Sequence, residues 1–221
     1  MMLRSKSPTR FRLIALVVSL AAVSAGSAAT ICFVPHDSSG PGPNWDFGFG
    51  VALITTSKIE NAIFGDFRVT DGAGGGEVYA LTASKRLGHF EWKVGGKTFR
   101  PRLEMPLTLE IVDEDNGRTF LDYNASVMLR WVDFPWNETV STTFGLGMGL
   151  SYSSKVYEMD RVAHPGDDRS HLKFNLPVEW TFASPSNPDQ QLMLFILHQS
   201  GGHVFDTGGV NSVGIGFRTP F

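Results

Sequence analysis

Residues 121–131 read LDYNASVMLRW, and residues 140–152 read VSTTFGLGMGLSY. In the first stretch Leu121, Tyr123, Ala125, Val127, Leu129 and Trp131 alternate with Asp122, Asn124, Ser126, Met128 and Arg130. Successive side chains of a β-strand point to opposite faces, so this period of two gathers the large apolar groups on one side and the polar groups on the other. In the second stretch the large residues Val140, Phe144, Leu146, Met148, Leu150 and Tyr152 oppose Ser141, Thr143, Gly145, Gly147, Gly149 and Ser151. Those small residues leave room for bulky neighbours inside a narrow lumen.

The same alternation runs outward in both directions, in runs of about ten broken by Gly, Pro, Asn and Asp clusters. It covers Trp45 to Leu53, Leu103 to Ile111, Leu172 to Phe182, Met193 to Ser200 and Val213 to Phe221. One more strand is expected between Glu77 and Val94, its register blurred by Lys85, Arg86 and Gly88. In the strand over 172–182 the alternate face carries Lys173, Asn175, Glu179 and Thr181. A soluble sandwich also alternates, but its water-facing side is seldom this glycine-rich opposite unbroken large apolars. The expected fold is therefore all-β, an eight-stranded antiparallel transmembrane β-barrel of the outer-membrane type, with apolar residues toward lipid and polar residues toward the lumen. The ending Gly216 to Phe221 resembles the aromatic-ended signal by which such barrels are delivered for insertion.

Composition agrees. With 221 residues, 12% aromatic content and one cysteine, the chain is neither disordered nor a disulfide scaffold. A mean hydropathy of -0.04 excludes a helical membrane bundle. Arg4, Lys6, Arg10 and Arg12 precede residue 30, and all acids follow it, so the rest of the chain carries 15 bases against 22 acids. Such an acidic body does not seek nucleic acid by general electrostatics.

Residues 1–29 combine those bases, an apolar run from Leu13 to Val23 and small residues from Ser24 to Ala29, the pattern of a cleaved signal peptide, with the cut after Ala28 or Ala29. The apolar run is about half the roughly 20 residues needed to span a bilayer. Residues 30–43 read as a Pro/Gly/Ser-rich leader holding a free Cys32, and residues 44–221 as the barrel. Residues 133–138 and 184–190 are short turns, and 56–76 and 153–170 long loops. Small outer-membrane barrels have short periplasmic turns. Both barrel ends therefore belong in the periplasm, and residues 113–118, 153–170 and 201–209 outside the cell.

One constellation carries chemistry. The strand through Leu192, Leu194 and Ile196 ends in His198, Gln199, Ser200, Gly201 and Gly202. His198 and Ser200 share the outward face, and symmetric closure of the next loop sets Asn211 opposite His198. A hydroxyl nucleophile, an imidazole base and a third group that orients the imidazole are the parts of a serine esterase. Backbone N–H groups at Gly201 and Gly202 are candidates to hold an oxyanion.

This arrangement, over residues 139–221 and above all the segment from His198 to Gly202, resembles the outer-membrane lipid A 3-O-deacylase family. The resemblance implies an eight-stranded barrel that hydrolyses an ester-linked acyl chain of lipopolysaccharide, with His198 as base and Ser200 as nucleophile. Two positions depart from that family: its Asn after the Ser is Gly201 here, and where it has Glu the hairpin offers Asn211. An amide orients a neutral imidazole but does not stabilise the imidazolium by charge. Asp206 could substitute only if its loop folds back. The expected function is a lipid A deacylase-like esterase, the alternative a non-catalytic small barrel with a structural, adhesive or minor pore role. No cofactor is expected, and no metal, since His198 and His203 have no clustered carboxylate. The expected partners are lipid A and the membrane, the expected location the bacterial outer membrane, and the expected assembly a monomer or homodimer. Glu179 and Lys173 are expected to pair in the lumen, and Asp113 to Asp115 to form a solvated loop.

Overall fold

The computed structural model describes residues 30–37 and 42–221. The expected signal peptide and its cleavage site lie outside the described residues. Ten strands run in order: β1 (Thr30–Pro35), β2 (Trp45–Thr55), β3 (Gly76–Val94), β4 (Lys97–Phe99), β5 (Arg102–Glu114), β6 (Arg118–Trp131), β7 (Ser141–Ser153), β8 (Leu172–Ser184), β9 (Asn187–Ser200) and β10 (Gly209–Pro220).

Eight of them, β2, β3 and β5 to β10, make a closed antiparallel barrel. Each pairs with the next along the chain, β3 pairing directly with β5, and β10 returns to β2 with Asn211 opposite Thr55 and Pro220 opposite Asp46. Closure satisfies the backbone of every barrel strand without a free edge. The two remaining strands extend the ring. β3 runs past the barrel wall, and β1 pairs with its overhang from Thr30 opposite Lys93 to Pro35 opposite Gly88. Residues 30–43, expected as a leader, thus begin with a strand, whose pairing partner lies more than fifty residues away. The turn expected at 184–190 is tighter than the sequence suggests: β8 reaches Ser184 and β9 starts at Asn187.

The two faces sort as the alternation requires. Phe49, Leu81, Val127, Met148, Ile215 and Phe217 are all more than half exposed on the outside. Asp122, Asn124, Ser126, Met128 and Arg130 of β6 and Lys173, Asn175, Glu179 and Thr181 of β8 are buried inside. An apolar outside and a charged inside invert the distribution of a water-soluble domain. No described helix is long and apolar enough to cross a membrane, so any crossing is by strands.

Inside, the end nearer the short turns is an ion network. Arg130 Nε donates to Glu104 Oε2 at 3.0 Å and its Nη1 to Thr143 at 3.0 Å, and Nη2 also reaches Glu179. Arg218 donates to the same two acids at 2.7 and 3.1 Å and lies 3.2 Å from Asp46, which Arg86 grips with two bonds of 2.9 Å. Gly145 on β7 leaves the space that Arg130 fills. The end nearer the long loops is closed instead by Ile54, Val78, Val112, Phe120, Phe195, Leu197 and Val210 around Tyr157. The Tyr157 hydroxyl donates to Asp122 at 3.0 Å, and its ring meets Phe120 edge-on at 5.0 Å. Tyr157 therefore plugs the lumen from the loop before the helix Glu158–Ala163.

The expected Lys173–Glu179 pair does not form. Six residues along one strand separate them by roughly 20 Å. Glu179 serves the two lumen arginines, and Lys173 reaches Asp206 at 2.6 Å and Asp160 at 2.9 Å, tying the loops 154–171 and 201–208 together.

Candidate functional site

β9 and β10 form a hairpin joined by residues 201–208, with Asn211 opposite His198 and Gly209 opposite Ser200. This is the pairing expected from symmetric closure. His198 Nδ1 and Asn211 Oδ1 are 2.6 Å apart, and Asn211 Nδ2 donates to the Ser57 carbonyl at 2.7 Å. A carbonyl can only accept, so Ser57 fixes which end of the amide faces the ring. The amide oxygen then requires a proton on Nδ1, which leaves Nε2 as the basic nitrogen. Thr55 adds a bond from its hydroxyl to the Asn211 carbonyl at 3.3 Å.

Ser200 lies two residues further along the same face. Its Oγ accepts the Gly202 N–H at 3.2 Å, and among the described residues no hydrogen bond joins it to the His198 ring. The expectation of two oxyanion donors reduces to one. The Gly201 N–H is spent on the Gly208 carbonyl at 2.8 Å, continuing the ladder into the loop, so only Gly202 keeps its N–H beside the serine. Gly201 is required by a close approach: a Cβ there would meet Asp206 Oδ1 at 2.0 Å. An asparagine at this position is therefore incompatible with this loop.

Asp206 does not reach the imidazole. It accepts from Lys173 and from the Ser170 and Gly208 N–H groups, at 2.6, 2.8 and 2.9 Å. Burial pushes its carboxyl upward, but these bonds outweigh burial and hold it below the ordinary carboxylate range.

The surroundings include residues that sequence reasoning missed. The loop after β2 carries a short helix, Ile59–Ile63, whose Ala62 packs on Ile196 and Val178 of the outer wall just below His198. Ser57 comes from this loop, and Glu60 stands in the first turn of its helix. Nothing local announces the role of Ser57, because the Ser57–Asn211 bond joins residues 154 positions apart. On the other side, Phe174 stands opposite Ser200 and Leu176 opposite His198, and the Phe174 and Phe205 rings meet at a tilt with centroids 5.0 Å apart. The site is thus a half-covered apolar niche on the outside of the barrel at its long-loop end.

A cleft of about 1510 Å³ runs along Phe47, Phe49, Leu81, Leu107, Leu109 and Tyr123 and reaches neither His198 nor Ser200. Among the described residues no three His, Cys, Asp or Glu side chains gather as metal ligands.

A closed eight-stranded antiparallel barrel, apolar outside and polar inside, defines a small barrel of the outer-membrane type. No family model matches the sequence, and no curated protein matches it significantly. Solved structures similar to it include the outer membrane enzyme PagL, at 13% identity over 78% of this chain and 99% of that one, with a TM-score of 0.45. Neisserial surface protein A is similar at 13% identity over 88% and 100%, with 0.46, and the Yersinia pestis outer membrane protein Ail at 12% over 80% and 99%, with 0.35. At this distance none of those proteins' activities carries over, and the fold stands on the closed ladder of this chain itself.

Proposed function

We propose that the chain is an outer-membrane esterase acting on an acylated lipid of the outer leaflet, with lipid A of lipopolysaccharide as its substrate. Ser200 is the nucleophile, His198 the base and Asn211 the group that holds the imidazole. The single observation that carries this reading is the Ser57–Asn211–His198 chain of hydrogen bonds, which presents a basic Nε2 on the same apolar face as the Ser200 hydroxyl.

In the reaction Ser200 Oγ attacks the ester carbonyl carbon as His198 Nε2 takes the hydroxyl proton, and the Gly202 N–H, which bonds Ser200 Oγ in the free site, turns to the developing oxyanion. Collapse breaks the bond to the alcohol, which leaves with the proton from His198. Water, deprotonated by the same ring, then cleaves the acyl-serine and releases the fatty acid. Substrate approach accounts for the outward placement, because an acyl chain in the leaflet meets His198 and Ser200 without leaving the apolar belt.

A second reading, a non-catalytic barrel, is favoured by the missing His198–Ser200 hydrogen bond and by an amide in place of a carboxylate. Apo serine sites often show such a loose geometry. Mass spectrometry of lipid A from cells with wild-type protein, Ser200→Ala protein and none separates the two readings. The esterase reading expects loss of one acyl chain with wild-type protein alone, with both proteins heat-modifiable on detergent gels. Unchanged lipid A in all three would favour the second reading, and recovery as a soluble protein would remove both.

A further inference from the structure

At the short-turn end, opposite the candidate esterase site, a cavity of about 240 Å³ is lined by His36, Arg86, Gly88, His89, Arg100 and Arg102. A defect in β3 builds it. Arg86 pairs with Glu104 on β5 and Gly88 with Leu103, so Leu87 has no partner and the strand bulges. Bulges bend a strand and re-aim its side chains. Beyond the bulge β1 replaces β2 as the neighbour of β3, and the His36 N–H bonds the Leu87 carbonyl at 3.0 Å. Gly88 allows this approach, since a Cβ there would lie 2.3 Å from the Val34 carbonyl oxygen. The result brings five basic side chains from β1's end, β3, the link between β4 and β5, and β5 around one space with no acid in its lining.

Their compensation is uneven. Arg86 is gripped by Asp46, and Arg100 on the rim lies 3.3 Å from Glu91. His36 bonds Asn44 at 2.8 Å. Arg102 is different: its Nε is buried without a hydrogen bond, 3.6 Å from Glu104, whose other oxygen already serves Arg130 and Arg218. No described residue accepts a hydrogen bond from the Arg102 side chain. The Arg102 side chain is only 25% exposed, a buried Nε with no hydrogen bond is costly, and a tetrahedral oxyanion matches the planar fork of a guanidinium.

We propose that this pocket binds a phosphate group, with Arg102 as its main ligand and His89, Arg86 and Arg100 around it. The group is presented either by the headgroup of an anionic phospholipid or by a free phosphorylated solute. Purified full-length protein in a neutral detergent, titrated with inorganic phosphate and followed by native mass spectrometry, tests the free form. The same protein in nanodiscs of phosphatidylglycerol or phosphatidylcholine, followed by thermal unfolding, tests the lipid form.

Saturable phosphate binding that Arg102→Gln weakens about tenfold or more supports a free oxyanion site. A higher unfolding temperature in phosphatidylglycerol alone, abolished in Arg102→Gln, supports the headgroup. If Arg102→Gln does not fold to the heat-modifiable form, Arg100→Gln and His89→Ala carry the same comparison, each weakening binding several-fold. Absence of both effects in wild-type protein, or variants indistinguishable from it, would overturn the proposal.

Discussion

The short-turn half of the lumen and the outer wall at His198 both hold polar groups in surroundings of low dielectric, and they satisfy them in different ways. In the lumen Arg130 and Arg218 converge on Glu104 and Glu179 from separate strands, Arg130 meeting two carboxylates and Arg218 a third in Asp46. At the wall His198 is held at Nδ1 alone, and Ser200 accepts one N–H while its own proton has no described acceptor. The first arrangement fixes strands against one another. The second leaves a basic nitrogen and a hydroxyl proton uncommitted, which is what a reaction needs. Charge satisfaction, rather than the presence of polar residues, separates scaffold from candidate site.

Substitution at the wall is expected to have the largest effect. Ser200→Ala and His198→Ala should each lower ester hydrolysis at least about 1,000-fold, since members of such a unit fail together. Ser200→Ala should unfold in urea within about 0.5 kcal/mol of wild type, and His198→Ala, which strands the buried Asn211 Oδ1, should lose about 1–3 kcal/mol. A large loss of stability with activity retained would reverse the assignment of the two regions.

The lumen should behave oppositely. Arg130→Ala leaves Glu104 and Glu179 short of a partner in a buried site, a loss of about 3–5 kcal/mol that urea unfolding of the refolded protein would register. Any folded fraction should hydrolyse esters at the wild-type rate. A parallel fall in its specific activity would mean the network shapes the site directly.

Asn211 tests the boundary between the regions, because it serves the ring and also ties the loop through Ser57. Asn211→Leu removes control of ring orientation and should reduce activity about 100-fold. Asn211→Glu supplies the charge an imidazolium wants but turns a carboxylate oxygen toward the Ser57 carbonyl. Its rate should therefore stay within about tenfold of wild type, as steady-state kinetics on a simple acyl ester would show.

The smallest effect belongs to the loop latch. Asp206 has a folded-state pKa below its ordinary value of 3.8, so its contribution is present above that value and is lost as pH falls through the folded pKa. Limited proteolysis of residues 154–171 should rise modestly below pH 4. Asp206→Asn should flatten that dependence, and an unchanged profile would remove the latch from any role in holding the loops.

The strands and their facing were legible because a period of two is a local property: the residues 122 to 130 that read as lumen in the sequence are lumen in the barrel. The His198–Asn211 pair was legible for a related reason, since a hairpin with a symmetric loop sets its own register. The Gly201 N–H was misjudged because its partner Gly208 depends on the path of the loop. The Lys173–Glu179 pair was misjudged because shared facing says nothing about height along the strand.

By itself the sequence determined eight alternating barrel strands, a polar interior, an apolar exterior and a cluster of His198, Ser200 and Asn211 at one strand end. Those features follow from side-chain periodicity and from neighbours within one hairpin. Tertiary structure alone decided that Ser57 orients Asn211, that Ala62 shields Ile196, that Tyr157 plugs the lumen and that β1 completes a basic pocket on the β3 overhang. Each of these joins segments far apart along the chain, and such contacts depend on barrel closure, stagger and loop paths that no local pattern encodes.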